Sequence, residues 1–589
     1  MDMRWRLDDL YVGFDSPKFL ADFETATKEV ADFGQWAEEA FASLDDAGSK
    51  IEAYLNRVND SVEFKKLFAF AFLTRSVDEH DEAAKKYSDL LRGLMADMAK
   101  PSVLFKAYVA NVPNLEELIA GSAVLGEHAF LLREAVEQNK YLLSEKEEIA
   151  IAKMRITGSQ AWADMKDMLL AVMKIPVMID GEEKLLPLPA VRNLAYDANA
   201  TTRKAAYDAE MKAYEDVERA AAASLNAIKG EVLTQVGLRG YESPLHMTLV
   251  NSRLQGDTLA AMISAMEDFL PSLRRYYKKK AQMLGHSGSL PFYDLFAPAA
   301  KVKMKFTYQE AIDFCLEHFG AYSTEMAEFT KQAFADGWVD AEVREGKRGG
   351  AFCANLHMIK QSRVVLNFDG SFSDVTTMAH EFGHAYHGYC LNDAAYLNTA
   401  YTMPIAETAS TFCETIVTDA AIKKASADEK VAILEAELSD ALQVIVDIYS
   451  RYLFESRFFE ARKGGSLSVE EINNLMLGAQ KDAYGDGLDH NCLHKYMWIN
   501  KVHYYYAERN FYNFPYAYGL LFAKGLYAQY LTDGASFPEK YNKLLAATGS
   551  NTLEAVGDLA GIDVRKKDFW VQSLKQIEAK VDEFCAGVV

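Results

Sequence analysis

The sequence predicts a mainly α-helical protein of two or more lobes that contains little β-sheet. Its 589 residues, half of them hydrophobic, are enough to bury a large core and to divide it between lobes. Apolar residues recur at helical spacing over long stretches, and only 13 residues are proline. Length, composition and periodicity therefore favour a helical fold around a sizeable core.

Helix signals and one joint divide the chain into three predicted regions: residues 1–110, 111–195 and 196–589. Pro17 suits the first turn of a helix. The proline-containing stretch Asn111–Asn114 is read as the joint between the first two regions. Ser144, with Glu147 three residues later, forms a capping box that begins a helix. The third region begins with a long helix near Asn199.

Two short stretches are predicted to form β-structure. Asp180 and Gly181 lie between two apolar pairs, which is typical of the turn of a hairpin. The stretch Arg363–Phe368 is rich in β-branched residues and ends at Asp369-Gly370, so it is predicted as a strand. A helix is expected to follow it, capped by Ser373 or Asp374.

That helix carries the motif His-Glu-x-x-His. His380 and His384 are four residues apart, so both imidazoles lie on one helix face and can reach one point. Zinc accepts such nitrogens, and catalytic zinc sites take three protein ligands and leave one position for water. Glu381 is placed to hydrogen-bond that water. His387, seven residues after His380, is expected on the same side, in support of the ligands.

A third ligand is predicted on a second helix. Glu407 follows His384 by 23 residues, enough for the first helix to end and the chain to return, and Pro404 suits the first turn there. Glu414 is seven residues further and shares the face of Glu407. Its carboxylate is predicted to orient a ligand imidazole. The alternative is a buried structural carboxylate.

Charge and cysteine usage limit the partners and the compartment. The formal net charge of −22 argues against a general binder of nucleic acid or anionic membranes. The six cysteines are scattered without a Cys-x-x-Cys pair, which suits a reducing compartment. Neither a signal peptide nor a membrane-spanning stretch is apparent, so a cytoplasmic location is expected. The sequence gives no indication of an oligomeric state.

The residues around the motif resemble oligoendopeptidase F, a branch of the thimet-oligopeptidase-like zinc metallopeptidases. The resemblance rests on His380–His387 and Ile405–Ser410, extends to Arg363–Phe368 and includes the tyrosine-rich segment Phe511–Gly519. It covers most of the chain and is strongest from about residue 350 onward. The resemblance implies a two-lobed, mostly helical zinc metallopeptidase, with a small sheet beside a deep channel that admits short, unstructured peptides. Residues 196–589 would form its catalytic domain and residues 111–195 its N-terminal lobe.

The resemblance also implies roles for individual residues. His380, His384 and Glu407 would hold one zinc ion, and Glu381 would act as general base. The wall facing the scissile carbonyl would be formed by His503, Tyr512 and Tyr516. Related enzymes tend to carry a further tyrosine where this chain has Phe514, which leaves open which tyrosine is the main donor.

The expected reaction is hydrolysis of internal peptide bonds in short oligopeptides. The substrate backbone is expected to add as a strand to the predicted strand; its residues are Arg363, Val364, Val365, Leu366, Asn367 and Phe368. One alternative is a zinc exopeptidase, although no group that would read a free terminus stands out. The other is a catalytically silent helical scaffold that binds peptides, against which the intact Glu381 argues.

Overall fold

The computed structural model describes residues 2–300 and 304–587, and most of these are helical, as predicted. Up to residue 171 the helices are α1 (Pro17–Ala40), α2 (Ala47–Asn59), α3 (Val62–Val77), α4 (Glu82–Asp97), α5 (Ala99–Ala110), α6 (Leu115–Gly121), α7 (Ala123–Glu127), α8 (Ala129–Asn139), α9 (Glu145–Arg155) and α10 (Ala161–Ala171). The central helices are α11 (Leu188–Asn193), α12 (Ala200–Tyr214), α13 (Glu218–Arg239), α14 (Pro244–Asn251), α15 (Gly256–Met283), α16 (Tyr308–Tyr322) and α17 (Thr324–Ala335).

The remaining helices begin with the one that carries the motif. They are α18 (Phe372–Cys390), α19 (Met403–Ala406), α20 (Thr408–Lys424), α21 (Ala427–Leu442), α22 (Ile448–Arg462), α23 (Val469–Tyr484), α24 (Met497–Asn500), α25 (Phe514–Asp533), α26 (Phe537–Ala547), α27 (Leu553–Leu559) and α28 (Lys567–Gly587). The strands are β1 (Lys174–Ile179), β2 (Glu182–Pro187), β3 (Val339–Asp340), β4 (Phe352–Leu356) and β5 (Gln361–Val365).

Local sequence signals place several of these elements correctly. Pro17 is in the first turn of α1, as predicted. Ser144 and Glu147 form the predicted capping box at the start of α9. Strands β1 and β2 pair as the predicted antiparallel hairpin. Asp180 and Gly181 both have positive φ, 52° and 82°, which a tight turn of this kind requires and which glycine adopts without strain.

The buried apolar residues form separate cores in the described part of the chain. One is built by the N-terminal segment with α1, α3 and α4. A second is built by the end of α1 with α2 and α5–α8. A third and much larger core extends from Ile175 to Phe584. The second core includes residues on both sides of position 110, because α5 packs against α8, so a division there cuts through packed side chains.

The three-stranded sheet has the order β3-β5-β4. Strand β5 pairs in parallel with β3 and antiparallel with β4, so both of its edges are hydrogen-bonded. The chain continues these bonds beyond the strand, since the Leu366 N–H donates to the Asp340 carbonyl and the Phe368 N–H to that of Ala341. The predicted strand is therefore real, but it is central and ends three residues earlier than predicted.

Helix α18 begins just after this sheet. Ser371 is its N-cap, and Ser371 and Asp374 form a capping box, so the predicted caps at Ser373 and Asp374 lie inside the helix. The turn before it tolerates only a small residue, because Gly370 has a φ of 88° and lies against the backbone of Phe306. None of the helices in residues 2–300 and 304–587 is both long and apolar enough to cross a membrane.

Candidate metal centre and active site

Helix α18 brings the two motif histidines together. His380 and His384 are one turn apart, and their Nε2 atoms are separated by 3.2 Å. The helix packs on β4, on β5 and on α20. Its buried residues include Val375, Phe382 and Tyr386, which fix it against its neighbours.

A glycine allows the second helix to approach. A Cβ atom on Gly383 would lie 2.4 Å from the carbonyl oxygen of Ala409 and 2.5 Å from the Cα of Ser410. The backbones of α18 and α20 are therefore in direct contact between the histidines and the start of α20. This contact places Glu407, the residue before α20, opposite both imidazoles.

Glu407 lies at a break between helices and not within one. Helix α19 ends at Ala406 and α20 begins at Thr408, and Glu407 has a φ of −90° and a ψ of 4°. The Ser410 hydroxyl lies 2.9 Å from both the carbonyl oxygen and the Oε2 atom of Glu407. The prediction that Glu407 lies on a second helix is thus wrong by one residue, and the break turns its carboxylate toward α18.

The spacing of these three residues fits a zinc ion. Glu407 Oε2 is 3.3 Å from His380 Nε2 and 3.3 Å from His384 Nε2. Three ligands about 2.0–2.1 Å from a tetrahedral zinc ion would be about 3.3–3.4 Å apart. Two imidazole nitrogens and one carboxylate oxygen are also a donor set typical of catalytic zinc. In the described residues these three form the cluster suited to hold a metal.

Two carboxylates act on His380. Its Nε2 faces Glu407 and its Nδ1 is hydrogen-bonded to Glu414. Burial by itself would lower the pKa of His380, but the hydrogen bonds to Glu407 and Glu414 outweigh it and raise that pKa to about 10. Burial would raise the pKa of Glu407, and the hydrogen bonds from the two histidines outweigh it and lower that pKa. Glu414 therefore occupies the position expected of a group that orients a ligand imidazole.

Glu381 is buried beside the histidines. Its side chain is 5% exposed, and its Oε2 atom has no hydrogen-bond partner among the described residues. Burial raises the pKa of Glu381, and the two neighbouring histidines oppose that shift. An unpartnered carboxylate oxygen is costly in a protein interior, so this atom is suited to receive a proton or a hydrogen bond from a bound molecule.

His387 does not join this group. Its Nε2 lies 2.8 Å from the Thr548 hydroxyl, and its ring stacks on Tyr401 with 4.1 Å between ring centroids. Burial, and then the proximity of His384, lower the pKa of His387 to about 3, so it is neutral. The expected support of a metal ligand by His387 is therefore not seen: its hydrogen bond ties α18 to the loop after α26.

The tyrosine-rich segment brings its three predicted residues together. His503, Tyr512 and Tyr516 are neighbours, with ring centroids 5.1 Å apart for His503 and Tyr512 and 5.6 Å for the two tyrosines. Tyr516 lines a cavity of about 590 Å³ together with His380 and Glu407. The Tyr512 hydroxyl lies 3.5 Å from Met403 Sδ, at the start of α19. The structure thus brings the three predicted residues together and places Tyr516 in one cavity with His380 and Glu407.

The Tyr516 hydroxyl and the His503 imidazole are neutral donors at neutral pH. Burial, and then the neighbouring Tyr512, raise the pKa of Tyr516. Burial, and then Arg451 and Lys501, lower the pKa of His503 to about 4. Neutral hydroxyls and a neutral imidazole can donate hydrogen bonds to a developing negative charge.

The strand predicted to bind the substrate is paired on both edges. Both edges of β5 are paired, so Arg363, Val364 and Val365 offer no free main-chain groups to a peptide. Their side chains, with those of Leu366 and Phe368, are buried, and the Asn367 amide donates to the carbonyls of Arg348 and Gly350. The prediction that a peptide adds to Arg363–Phe368 is therefore wrong, because a central strand has no edge to offer.

The edge strands of this sheet are β3 and β4, and β4, which the sequence did not reveal as a strand, packs on the motif helix. Its Asn355 amide donates to the His384 carbonyl at 3.2 Å, so β4 runs beside the motif helix. Burial, and then the nearby Glu381, raise the pKa of the Cys353 thiol. The sequence did contain a signal for β4. This stretch lies just before the predicted strand and is separated from it by the short turn His357–Ile359, which is the arrangement expected of a hairpin partner.

Comparisons with known proteins identify the family of this chain. The family model described as peptidase family M3 matches residues 193–576, and one described as oligopeptidase F matches residues 113–175. The group B oligopeptidase PepB of Streptococcus agalactiae is 26% identical over 92% of this chain and 90% of its own. The oligopeptidase PepF of Bacillus subtilis is 23% identical over 98% of this chain and 86% of its own.

Solved structures share the fold. A candidate peptidase from Chlamydophila abortus has a TM-score of 0.86 at 21% identity, over 99% of this chain and 98% of its own. Oligoendopeptidase F from Enterococcus faecium has a TM-score of 0.71 at 19% identity, over 96% and 99%. Because the M3 family model covers more than half of the chain and the relatives cover nearly all of it, the protein belongs to peptidase family M3 and is a metalloendopeptidase.

Proposed function

We propose that the protein is a cytoplasmic zinc endopeptidase that hydrolyses internal bonds of short, unstructured oligopeptides. One observation carries the proposal: three donor atoms of His380, His384 and Glu407 lie 3.2–3.3 Å apart, as around a tetrahedral zinc ion, and the unpartnered Glu381 is next to them. When bound, zinc supplies a water of pKa about 7 and polarises the substrate carbonyl.

Glu381 acts as the proton carrier of the reaction. Its free Oε2 takes the proton of the attacking water and then delivers it to the departing nitrogen. Burial supports both roles, because it raises the pKa of this carboxyl and brings it nearer to the pH at which the enzyme works. Glu414, through its hydrogen bond to His380 Nδ1, holds that imidazole with Nε2 toward the metal position.

Tyr512, Tyr516 and His503 stabilise the carbonyl oxygen as it gains charge. In this proposal they face the metal-binding histidines across the cavity that Tyr516 shares with His380 and Glu407, and the Tyr516 hydroxyl and His503 imidazole are neutral donors. A preorganised donor in a site of this kind contributes about 10²–10³-fold to turnover.

The substrate is held by its main chain along the free edge of β4. A peptide that adds a strand there lies beside α18 and spans the metal position, and main-chain bonds accept varied sequences. A folded substrate cannot offer an extended strand at this depth, which restricts the enzyme to short or unstructured peptides.

The test is a Glu381→Gln variant assayed beside the wild type on an internally quenched peptide blocked at both ends, with bound zinc measured in each. We expect equal zinc and a loss of turnover of at least about 10³-fold, since the proton acceptor is removed. Equal turnover in the two proteins would overturn the mechanism. Failure of the wild type on blocked peptides, with cleavage of peptides that have free ends, would favour an exopeptidase.

A further inference from the structure

The turn that carries Tyr512 is strained. Phe511, the residue before it, has a φ of 52°, a conformation that bulky aromatic residues rarely adopt. The N–H of Asn513 donates to the Phe511 carbonyl at 2.7 Å, which closes a tight turn around Tyr512. Such a conformation persists only where the surrounding structure holds it.

A buried ion pair from two distant helices holds both ends of this turn. Lys229 of α13 and Glu455 of α22 are 1% and 2% exposed, and the Nζ atom lies 2.8 Å from Oε1. Lys229 Nζ also donates to Asn510 Oδ1 at 2.8 Å. Glu455 Oε2 accepts a hydrogen bond from Asn513 Nδ2 at 3.0 Å. The pair therefore contacts one residue on each side of Phe511 and Tyr512.

The two asparagines are satisfied by further hydrogen bonds. The side-chain amide of Asn510 donates to the backbone carbonyl of Ala507, and the backbone carbonyl of Asn510 accepts from the Thr248 hydroxyl. Asn513 Oδ1 accepts from the Phe514 N–H and so caps α25, whose first turn carries Tyr516. A buried polar network in which the members are paired is rigid, because each departure from its geometry leaves a buried group unpaired.

We propose that Lys229 and Glu455 are positioning residues that aim the Tyr512 hydroxyl at the reacting carbonyl. Neither touches the substrate; they act through Asn510 and Asn513 on the strained turn. A buried ion pair contributes little net stability compared with apolar residues of similar size. We therefore assign to this pair an effect on the orientation of the groups that are hydrogen-bonded to it. This inference rests on the proposed function, in which Tyr512 is a donor.

The test is a double-mutant cycle between the ion pair and Tyr512. The variant Lys229→Met with Glu455→Gln removes both charges, keeps the side-chain volumes and leaves no unpaired buried charge. It is made in the wild type and in Tyr512→Phe, and kcat, KM, bound zinc and the melting temperature are measured. In the wild-type background we expect kcat to fall about 10–100-fold, since a small misplacement of a donor is enough, with KM and zinc unchanged.

In the Tyr512→Phe background, we expect the same two changes to alter kcat less than about twofold, because the hydroxyl they position is already gone. An equal loss in both backgrounds would show a general structural role and overturn the proposal. Tyr512→Phe with wild-type kcat would instead remove Tyr512 from the proposed mechanism, and the positioning role with it. The two failures are therefore distinguishable.

Two further variants keep the test informative if the variant Lys229→Met with Glu455→Gln does not fold. Asn510→Ala cuts one end of the connection and leaves the ion pair intact; we expect kcat to fall about 10-fold, again only when Tyr512 is present. Lys280→Met with Glu435→Gln removes another buried ion pair, 2.9 Å long, that does not contact this turn. It is expected to shift the melting temperature without changing kcat. A fall in kcat as large as that of the Lys229 variant would contradict the assignment.

Discussion

The proposed active site has two walls, and they are built in different ways. One wall consists of regular helices, and its ligands follow the helical repeat of α18 and the break before α20. The other wall, residues 502–516, consists of a short 3₁₀ turn, a strained turn at Phe511 and the first turn of α25. Its geometry depends on Lys229 and Glu455, which lie far away in the sequence.

This difference separates the two functions of the site. In the proposed function the helical wall holds the metal, and its side chains are placed mainly by contacts within and between two helices. The irregular wall, in the same proposal, faces the reacting carbonyl, and long-range hydrogen bonds place its donors. Changes in the first wall should therefore alter metal occupancy, whereas changes in the second should lower turnover while the metal stays bound.

The largest effect is expected from removing a ligand. His384→Ala takes away one of the three donors, and we expect zinc to be lost together with at least about 10⁴-fold in kcat/KM. Zinc content and cleavage of a quenched peptide measure the two effects. His490→Ala, at an exposed histidine bonded to the Gly485 carbonyl, is the control and should retain both. Retention of stoichiometric zinc by His384→Ala would contradict the assignment of the ligands.

Removing a hydrogen-bond donor from the irregular wall should lower activity less than removing a ligand does, and without loss of zinc. Tyr516→Phe removes one hydroxyl, and we expect kcat to fall about 10²–10³-fold with zinc content unchanged. The comparison with Tyr512→Phe under the same conditions identifies the main donor. Loss of zinc in either variant would mean that the two walls are not separate in function.

Removing the residue that orients a ligand should weaken zinc binding less than removing the ligand itself. Glu414→Gln keeps a side chain of equal size but removes the charge beside His380 Nδ1, and we expect zinc affinity to fall about 10–100-fold. Competition with a chelator measures the affinity, and excess zinc should restore activity. A lower melting temperature with unchanged affinity would instead make Glu414 a structural carboxylate.

The smallest expected effect tests the contact between the helices. Gly383→Ala would place a methyl group 2.4 Å from the Ala409 carbonyl oxygen, so the helices must separate; we expect a loss of about 1–3 kcal/mol in unfolding free energy. Gly237→Ala, in a helix with nothing within 4 Å of the added methyl group, is the control and should be neutral or stabilising. Equal stabilities in chemical denaturation would show that α18 and α20 are not in tight contact.

Much of the metal wall could be predicted from local patterns. The i,i+4 spacing of His380 and His384, the capping box at Ser144 and the hairpin turn at Asp180-Gly181 depend on residues close in sequence, and the structure shows all three. Patterns failed where a neighbour from elsewhere decides the outcome. The strand Arg363–Phe368 was identified, but which of its edges would be free depends on β3 and β4. The sequence of a strand shows which of its side chains alternate between the two faces of the sheet, but not which strands pair with it.

By itself, the sequence determined the helical class of this protein, the two motif histidines and the carboxylate between them, because helical periodicity and ligand spacing act over a few residues. Tertiary structure alone decided that His387 packs on Tyr401, that β4 is the edge strand beside α18, and that the turn at Phe511 is stable. Each of these depends on a partner far along the chain. Packing and buried hydrogen bonds select that partner only once the chain has folded.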